Sequence, residues 1–147
     1  MGGSNADGYD GSEMHTTHLP AIKNLMPTEV KNAIKAVNKE TGINGDYTVT
    51  GTETVSCDLF LLAEIEIFGT IQTGGASFPS EAGEGSQYAY YKAGNSKIKK
   101  QNGSAVSWWN RSPTTSDQKY FKTVSTAGAS SKELAGNSHG VSFAFCF

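Results

Sequence analysis

The chain has 147 residues and a mass of 15.6 kDa, with 37% hydrophobic and 18% charged residues, so we expect one domain over residues 1–147 and exclude a coiled coil. No apolar run approaches the roughly 20 residues of a membrane-spanning helix and no signal peptide is evident, which predicts a soluble chain without a membrane partner. Residues 1–8 are expected to be a flexible start or a fragment boundary. The net charge of −2 divides into −6 for residues 1–68 (four bases, ten acids) and +4 for residues 69–147 (eight bases, four acids), but the bases form no continuous stripe and we expect no nucleic-acid partner.

The first third of the chain predicts two helices. Ser12 is followed by apolar residues at helical spacing, and Pro20 splits this stretch or opens its second part, so we expect one broken helix. A second helix is predicted to begin at Thr28 as N-cap and to end near Gly42. Its apolar stripe consists of Val30, Ala33, Ile34 and Val37.

The remainder predicts short strands and long loops. Alternation over residues 47–50 and an apolar run over residues 59–62 indicate two strands, the second of them buried. Residues 69–86 and 94–104 are expected to be loops. Three further segments of β type are residues 106–109, 120–124 and 141–145. Helices followed by a small sheet predict an α+β fold.

Two patterns resemble catalytic sites. Residues 136–140 match G-x-S-x-G, but no acid or histidine follows this serine outside the motif itself, and the next segment predicts a strand where a nucleophile elbow needs a helix. We therefore expect a turn with glycine at positive φ. Glu64 and Glu66 follow the buried strand without evident partners and are expected to be solvated. The sequence predicts no enzyme, no catalytic residue and no cofactor.

The metal-ligand patterns are incomplete. His15 and His18 share a helix face without an identifiable third zinc ligand. Asp7, Asp10 and Glu13 depart from the calcium-loop pattern. We expect no metal site.

The two cysteines, Cys57 and Cys146, each lie among apolar residues. Two buried, unbonded thiols are favoured, and a disulfide between neighbouring core strands is the alternative.

The basic half is rich in aromatic residues with small polar neighbours, a composition typical of recognition surfaces. These aromatic residues are Tyr88, Tyr90, Tyr91, Trp108, Trp109 and Tyr120. Because Trp108 and Trp109 are adjacent on a strand, only one is expected to point inward, and the other lies at a binding face or under a loop.

Several segments together resemble a known group of domains. They are S-Q-Y-A-Y-Y at 86–91, W-W-N-R-S-P at 108–113, F-K-T-V-S at 121–125 and G-V-S-F-A-F-C-F at 140–147. The sequence resembles domains of gut bacteria and their phages that carry a W-W-x-R-S-P … G-V-x-P-A-F ending, over about residues 8–147. Such domains are similar to the C-type-lectin-like fold shared by formylglycine-generating enzymes and variable phage receptor-binding proteins.

The resemblance implies two N-terminal helices packed on a small, twisted, mostly antiparallel sheet with long loops. The cysteines do not match the active-site pair of formylglycine-generating enzymes, and Arg111 replaces the aspartate of the lectin calcium motif. The resemblance therefore predicts neither that enzyme activity nor calcium-dependent sugar binding.

The implied function is recognition of a host-surface glycan or protein by a phage or prophage virion protein of the tail, fibre or surface, through loops 112–120 and 125–139. A bacterial cell-surface location is the alternative. Ligand contacts are expected from Trp109, Asn110, Tyr120, Ser125, Lys132, Asn137 and His139, and structural roles from Trp108, Arg111, Phe121, Gly140 and Phe143. Arg111 is expected to tie loops together through hydrogen bonds to carbonyls. Expected partners are other virion proteins and further copies of the chain, with a trimer favoured. The alternative function is a purely structural virion decoration or oligomerisation domain.

Overall fold

The helices of the chain are short and lie mainly near its N-terminus. The computed structural model describes residues 1–43, 51–71, 83–114 and 118–147. A π-helical turn, Met14–His18, runs directly into α1, Leu19–Asn24, with Pro20 in its first turn. Proline fits there because its ring fixes φ close to the helical value. The broken helix is confirmed.

The second helix is shorter than predicted. Helix α2 spans Thr28–Ala33, and Pro27 rather than Thr28 is its N-cap. Ile34 is already extended, and the Lys35 N–H donates to the Cys146 carbonyl at 2.9 Å. The helix therefore ends before the apolar spacing predicts, because residues 34 and 35 are extended and residue 35 pairs with the C-terminal segment. Local propensity does not encode such a tertiary contact.

Residues predicted to end that helix form the first strand. Strand β1, Val37–Gly42, pairs antiparallel with β2, Thr52–Cys57. Strand β3, Phe60–Leu61, confirms the buried strand and pairs antiparallel with β9, Phe143–Ala144. The strand predicted at residues 47–50 lies outside the described residues.

A β-hairpin occupies part of the predicted loop 94–104. Its strands are β4, Lys99–Gln101, and β5, Ser104–Val106. Asn102 and Gly103 between them have φ of 51° and 85°, the left-handed conformations that a two-residue hairpin turn needs. The Asn-Gly dipeptide is the sequence signal for this turn.

A three-stranded antiparallel sheet forms the C-terminal part of the fold. Its strands are β6, Trp108–Pro113, β7, Tyr120–Val124, and β8, Ser130–Leu134, in that order. Strand β8 lies within residues 125–139, which were expected to be a loop. Two short helices complete the fold, α3 at Glu64–Phe68 and α4 at Ala89–Lys92.

The adjacent tryptophans serve two different hydrophobic clusters. Trp109 packs in the larger cluster with Leu19 and Phe121, whereas Trp108 packs with Ile67 and Val124. Successive residues of a strand point to opposite faces, and here both faces of β6 are covered. Both rings are therefore buried, one on each face of the strand, and neither lies at an exposed binding face.

The first residues pack into the interior and do not form a free start. Met1 is 5% exposed and Asn5 is fully buried. The Asn5 Nδ2 donates to the carbonyls of Thr114 and Tyr120 at 3.1 and 2.5 Å. These bonds hold the N-terminal segment against β6 and β7.

The architecture is α+β, with few helices and several small sheets, and every strand pair among the described residues is antiparallel. Within those residues, none of the helices is long and apolar enough to cross a membrane.

Candidate ligand-binding surface

The seven residues expected to contact a ligand do not all share one surface: Trp109, Asn137 and His139 line one groove and the other four do not. Trp109 and Asn110 are closed to solvent, with exposed fractions of 1% and 0%. Their positions on β6 place them within the protein rather than on a loop. Asn110 therefore presents no surface to a ligand, whereas Trp109 lines the smaller groove described below together with Asn137 and His139.

Tyr120 lies on β7, Lys132 lies on β8, and Ser125 lies in the turn between these strands. The Lys132 Nζ lies 4.9 Å from the centroid of the Tyr120 ring, a cation–π distance. The Ser125 N–H donates to the Ala129 carbonyl at 2.8 Å and closes the turn. None of these three residues lines the grooves described next.

Residues 137–141 form a ridge fixed to two strands. The Asn137 Nδ2 donates to the Glu133 Oε2 at 3.3 Å, and the His139 Nε2 lies 3.8 Å from the same oxygen. The His139 ring contacts the Trp109 ring edge-on, with centroids 4.9 Å apart. The ridge is thus attached to β8 through Glu133 and to β6 through Trp109.

Gly140 allows the ridge to lie directly against the main chain of β6. Its N–H donates to the Ser107 carbonyl at 2.8 Å, and its own carbonyl accepts from the Trp109 N–H at 3.0 Å. A Cβ at Gly140 would lie 3.1 Å from the Ser107 oxygen. Close approach, rather than the expected positive φ, explains the glycine here, since neither Gly136 nor Gly140 has a positive φ.

Two grooves flank the ridge. The larger groove has a volume of about 860 Å³ and lies between the β4–β5 hairpin and residues 138–142, with Trp108 and Thr126 among its lining residues. The smaller groove, of about 360 Å³, lies toward α1 and is lined by Ile22, Leu25, Trp109, Asn137 and His139, among others. The ridge is therefore accessible from a groove on each of two sides.

A polar groove of about 790 Å³ lies at the N-terminal part of the fold and includes Asp10, His15, Lys23 and Asp58. The His15 Nε2 lies 3.5 Å from the Asp10 carboxylate. Burial lowers the pKa of His15 and Asp10 partly opposes that shift. Among the residues that the structure describes, no group of three or more His, Cys, Asp or Glu side chains could hold a metal ion.

Six charged residues form a cluster that is largely closed to solvent. Its members, here called the ion-pair cluster, are Lys39, Glu64, Glu66, Glu84, Arg111 and Lys122. The expectation that Glu64 and Glu66 are solvated is wrong, because they are 0% and 3% exposed. Their cationic partners come from β1, β6 and β7, at sequence distances that no local pattern reveals.

Glu66 is the centre of the cluster. Its carboxylate lies 2.5 Å from both the Arg111 Nη1 and the Lys39 Nζ and also accepts from the Ala63 N–H at 2.8 Å. Burial acts to raise the pKa of Glu66, but the hydrogen bonds and charges of Arg111 and Lys39 outweigh it and hold the pKa below its ordinary value. Glu66 is therefore ionised in the folded protein at neutral pH.

Arg111 joins four separate segments. Besides Glu66, it donates to the carbonyls of Leu61 at 3.0 Å, Glu40 at 3.0 Å and Glu84 at 2.7 Å. The planar guanidinium can satisfy several fixed acceptors at once. This is the arrangement of hydrogen bonds to carbonyls that the sequence predicts for Arg111.

The other two acids bond to different parts of the sheet. Glu64 pairs with Lys122 at 3.1 Å and accepts from the Ser130 hydroxyl. Glu84 accepts from the Gly42 N–H at 2.9 Å and from the Ser112 hydroxyl. All three acids thus connect α3 and the segment around Glu84 to the strands, which is a positioning role.

The cysteines are not bonded to each other. Cys57 is buried on β2, whereas Cys146 is exposed, so the expectation of two buried thiols holds for Cys57 alone. The disulfide alternative is not formed.

No curated protein and no solved structure matches the chain. One family does match, described as Domain of unknown function (DUF6273), and the match covers residues 3–147. The chain therefore belongs to the DUF6273 family.

Proposed function

We propose that the chain is a recognition domain with a C-type-lectin-like fold, carried on a tail, fibre or other surface protein of a phage or prophage virion. It binds a glycan of the host surface in the larger groove and carries out no chemistry on it. The single observation that carries the binding role is this groove, which is open, has two fixed walls and is bounded by the C-terminal segment.

The dimensions and lining of the larger groove favour a sugar ligand. Its volume of about 860 Å³ lies within the range of roughly 300–1,000 Å³ typical of small-molecule sites. Hydroxyl and amide side chains line it, including Gln101, Ser107, Thr126 and Ser138. These groups both donate and accept hydrogen bonds, as sugar hydroxyls require.

The rigidity of the walls also supports binding. The ridge is bonded to Ser107 and Trp109, and the opposite wall is a hairpin with a tight turn. A binding surface that is already ordered loses less conformational entropy when a ligand binds. The ion-pair cluster below fixes the strands from which both walls extend.

The virion setting is supported by the W-W-x-R-S-P and C-terminal segments, which resemble domains of gut bacteria and their phages. On this proposal the partners are the host glycan, other virion proteins and further copies of the chain, with a trimer favoured. Asn137 and His139 position the ridge, whereas Tyr120, Ser125 and Lys132 stay predictions for a second contact surface.

One observation favours the structural alternative, a decoration or oligomerisation domain without a ligand. Leu25 and Phe147 are 87% and 67% exposed, and contacts between subunits would cover such side chains. This alternative expects a stable oligomer that binds no host surface.

The test is binding of the purified chain to a glycan array and to host cells, with and without a chelator. The blocking variant is Ser138→Trp, because Ser138 is exposed and lines both grooves. Its control is Ser86→Trp, an exposed serine that lines neither groove. Both variants are first checked for an unchanged unfolding transition.

The proposal expects saturable, chelator-resistant binding that Ser138→Trp abolishes and Ser86→Trp retains. Equal binding by both variants would show that the ligand binds outside the two grooves that Ser138 lines. No binding to any host surface, together with a stable oligomer in light scattering, would establish the structural alternative instead.

A further inference from the structure

The larger groove is bordered by positive charge on its hairpin side. Lys99 and Lys100 are among its lining residues on the hairpin side, and no lining residue is acidic. The Lys99 Nζ lies 5.8 Å from the centroid of the Trp108 ring, which places this ammonium group close to the base of the groove. The groove therefore has a cation on its hairpin wall, close to a tryptophan that is itself almost fully buried.

The absence of acids extends beyond the lining residues. Residues 85–114 contain four lysines and one arginine and no aspartate or glutamate, and residues 136–147 contain no acid either. These two segments supply almost all of the groove, with Thr126 from the β7–β8 turn. The hairpin wall is therefore positive, whereas the ridge wall carries no lysine or arginine and has the Glu133 carboxylate 3.8 Å from His139.

The groove lysines are available to a ligand. Among the described residues, neither Lys99 nor Lys100 forms an ion pair with a carboxylate, in contrast to Lys39 and Lys122 in the ion-pair cluster. Lys100 is exposed and Lys99 is half-buried. Their charges are therefore not neutralised by the part of the protein that the structure describes.

The polar groove provides an internal comparison. It contains two acids as well as a lysine and a histidine, and its Lys23 Nζ already lies 2.6 Å from the Asp58 carboxylate. A negatively charged ligand would meet repulsion from Asp10 and a lysine that is already paired. Charge thus separates the two grooves although their sizes are similar.

We infer that the ligand of the larger groove is an acidic glycan, whose carboxylate or phosphate groups bind Lys99 and Lys100. This inference rests on the proposed function and specifies its ligand class. Hydrogen bonds to charged groups are about twice as strong as neutral ones, so an acidic sugar gains more from this groove than a neutral sugar of the same shape.

The experiment measures binding of the full chain to three polymers: polygalacturonate, which carries carboxylates, phosphomannan, which carries phosphates, and dextran, which is neutral. The variants are Lys99→Gln and Lys100→Gln. The matched control is Lys92→Gln, an exposed lysine of the same acid-free stretch that does not line the groove. Each titration is repeated at low and high salt.

The inference expects binding to at least one acidic polymer, loss of at least about tenfold in affinity for each groove variant, and a smaller loss for Lys92→Gln. High salt should weaken binding, since exposed charges are screened. The stronger of the two acidic polymers identifies carboxylate or phosphate as the recognised group.

Three results would overturn the inference. Equal affinity for dextran would show that charge is not recognised, and an equal loss in Lys92→Gln would show non-specific attraction to a basic surface. Host-cell binding that neither groove variant weakens would also overturn it while leaving the proposed function intact. Absence of all host binding, by contrast, would count against the proposed function itself.

Discussion

Arg111 and Glu66 form an ion pair of 2.5 Å whose side chains are 0% and 3% exposed. The pair joins the middle of β6 to helix α3, and the remaining guanidinium hydrogen bonds bring in β1 and β3 through the carbonyls of Glu40 and Leu61. Strand β6 also carries Trp108 and Trp109, on which the two hydrophobic clusters are built. The same strand therefore organises both the core and the charged interior.

Removing one member of this pair should destabilise the protein strongly. Glu66→Gln leaves Arg111 and Lys39 without their shared counter-charge, and loss of one partner of a buried pair typically costs about 3–5 kcal/mol. Urea unfolding followed by tryptophan fluorescence measures the change in the free energy of unfolding. The control is Asp58→Asn, which breaks the more exposed pair with Lys23 and should cost less than about 1 kcal/mol. Similar small losses for both variants would contradict a structural role of the cluster.

Glu84 should make stability fall as pH rises. Burial raises its pKa above the ordinary value of 4.5, against the opposing effects of Arg111 and Ser112. Between that value and the raised pKa, the folded state binds more protons than the unfolded state, so the free energy of unfolding decreases with increasing pH. Glu84→Gln cannot ionise and should lack this decrease.

The measurement is urea unfolding of wild type and Glu84→Gln at a series of pH values from about 4.5 upward. We expect the stability of the variant relative to wild type to increase with pH. Parallel pH profiles for the two proteins would show that Glu84 has the same pKa in the folded and unfolded states.

The two thiols should differ sharply in reactivity. Cys146 is exposed, whereas Cys57 is buried and burial raises the pKa of its thiol to about 11, so little reactive thiolate forms there. Iodoacetamide should add one group to the native protein at Cys146 and two groups after unfolding, as read by mass spectrometry. No labelling of unfolded, unreduced protein would instead indicate a disulfide.

Sequence patterns predict well those elements whose conformation is determined by residues close together in the chain. The run at residues 59–62 contains β3, and the alternation at residues 120–124 became β7. The broken helix followed from Pro20. In each case burial periodicity or proline geometry acts within a few residues, so a single sequence contains the relevant information.

The elements that were missed depend on partners far along the chain. Residues 37–42 follow the helical stripe, which ends at Val37, but pair with β2 as a strand. Strand β8 resembles a polar loop in sequence because four of its five residues are Ser, Lys or Glu. The acids of the ion-pair cluster were misjudged for the same reason. Glu66 has an ordinary sequence context, and only the fold brings Lys39 and Arg111 to it.

The turn of the β4–β5 hairpin should depend on Gly103. A Cβ would meet no atom within 4 Å at either Gly103 or Gly136, but only Gly103 has a positive φ, of 85°. Gly103→Ala should therefore cost about 1–2 kcal/mol through backbone strain, while Gly136→Ala should be close to neutral. Thermal unfolding of both variants measures this contrast. Since the hairpin forms one wall of the larger groove, Gly103→Ala should also weaken ligand binding. Equal unfolding temperatures for Gly103→Ala and Gly136→Ala would disprove the role of the turn.

Asn110 should reduce the stability of the protein. It is fully buried on β6, and among the described residues neither its Oδ1 nor its Nδ2 has a hydrogen-bond partner. A buried polar group without a partner costs about 1–3 kcal/mol, so Asn110→Leu, which keeps the branched shape, should raise the free energy of unfolding. Asn5 is the matched control, because it is equally buried but donates to the carbonyls of Thr114 and Tyr120.

Asn5→Leu should lower the free energy of unfolding by about 1–3 kcal/mol, since it removes the Asn5 donor from the Thr114 carbonyl and one of the donors to the Tyr120 carbonyl. Urea unfolding of both variants gives the two changes under identical conditions, and opposite signs are expected. A loss of stability in Asn110→Leu comparable to that in Asn5→Leu would mean that the Asn110 amide is satisfied, for example by an internal water. The residue would then hold β6 in place through a polar contact, and its complete burial would still keep it from touching a ligand directly.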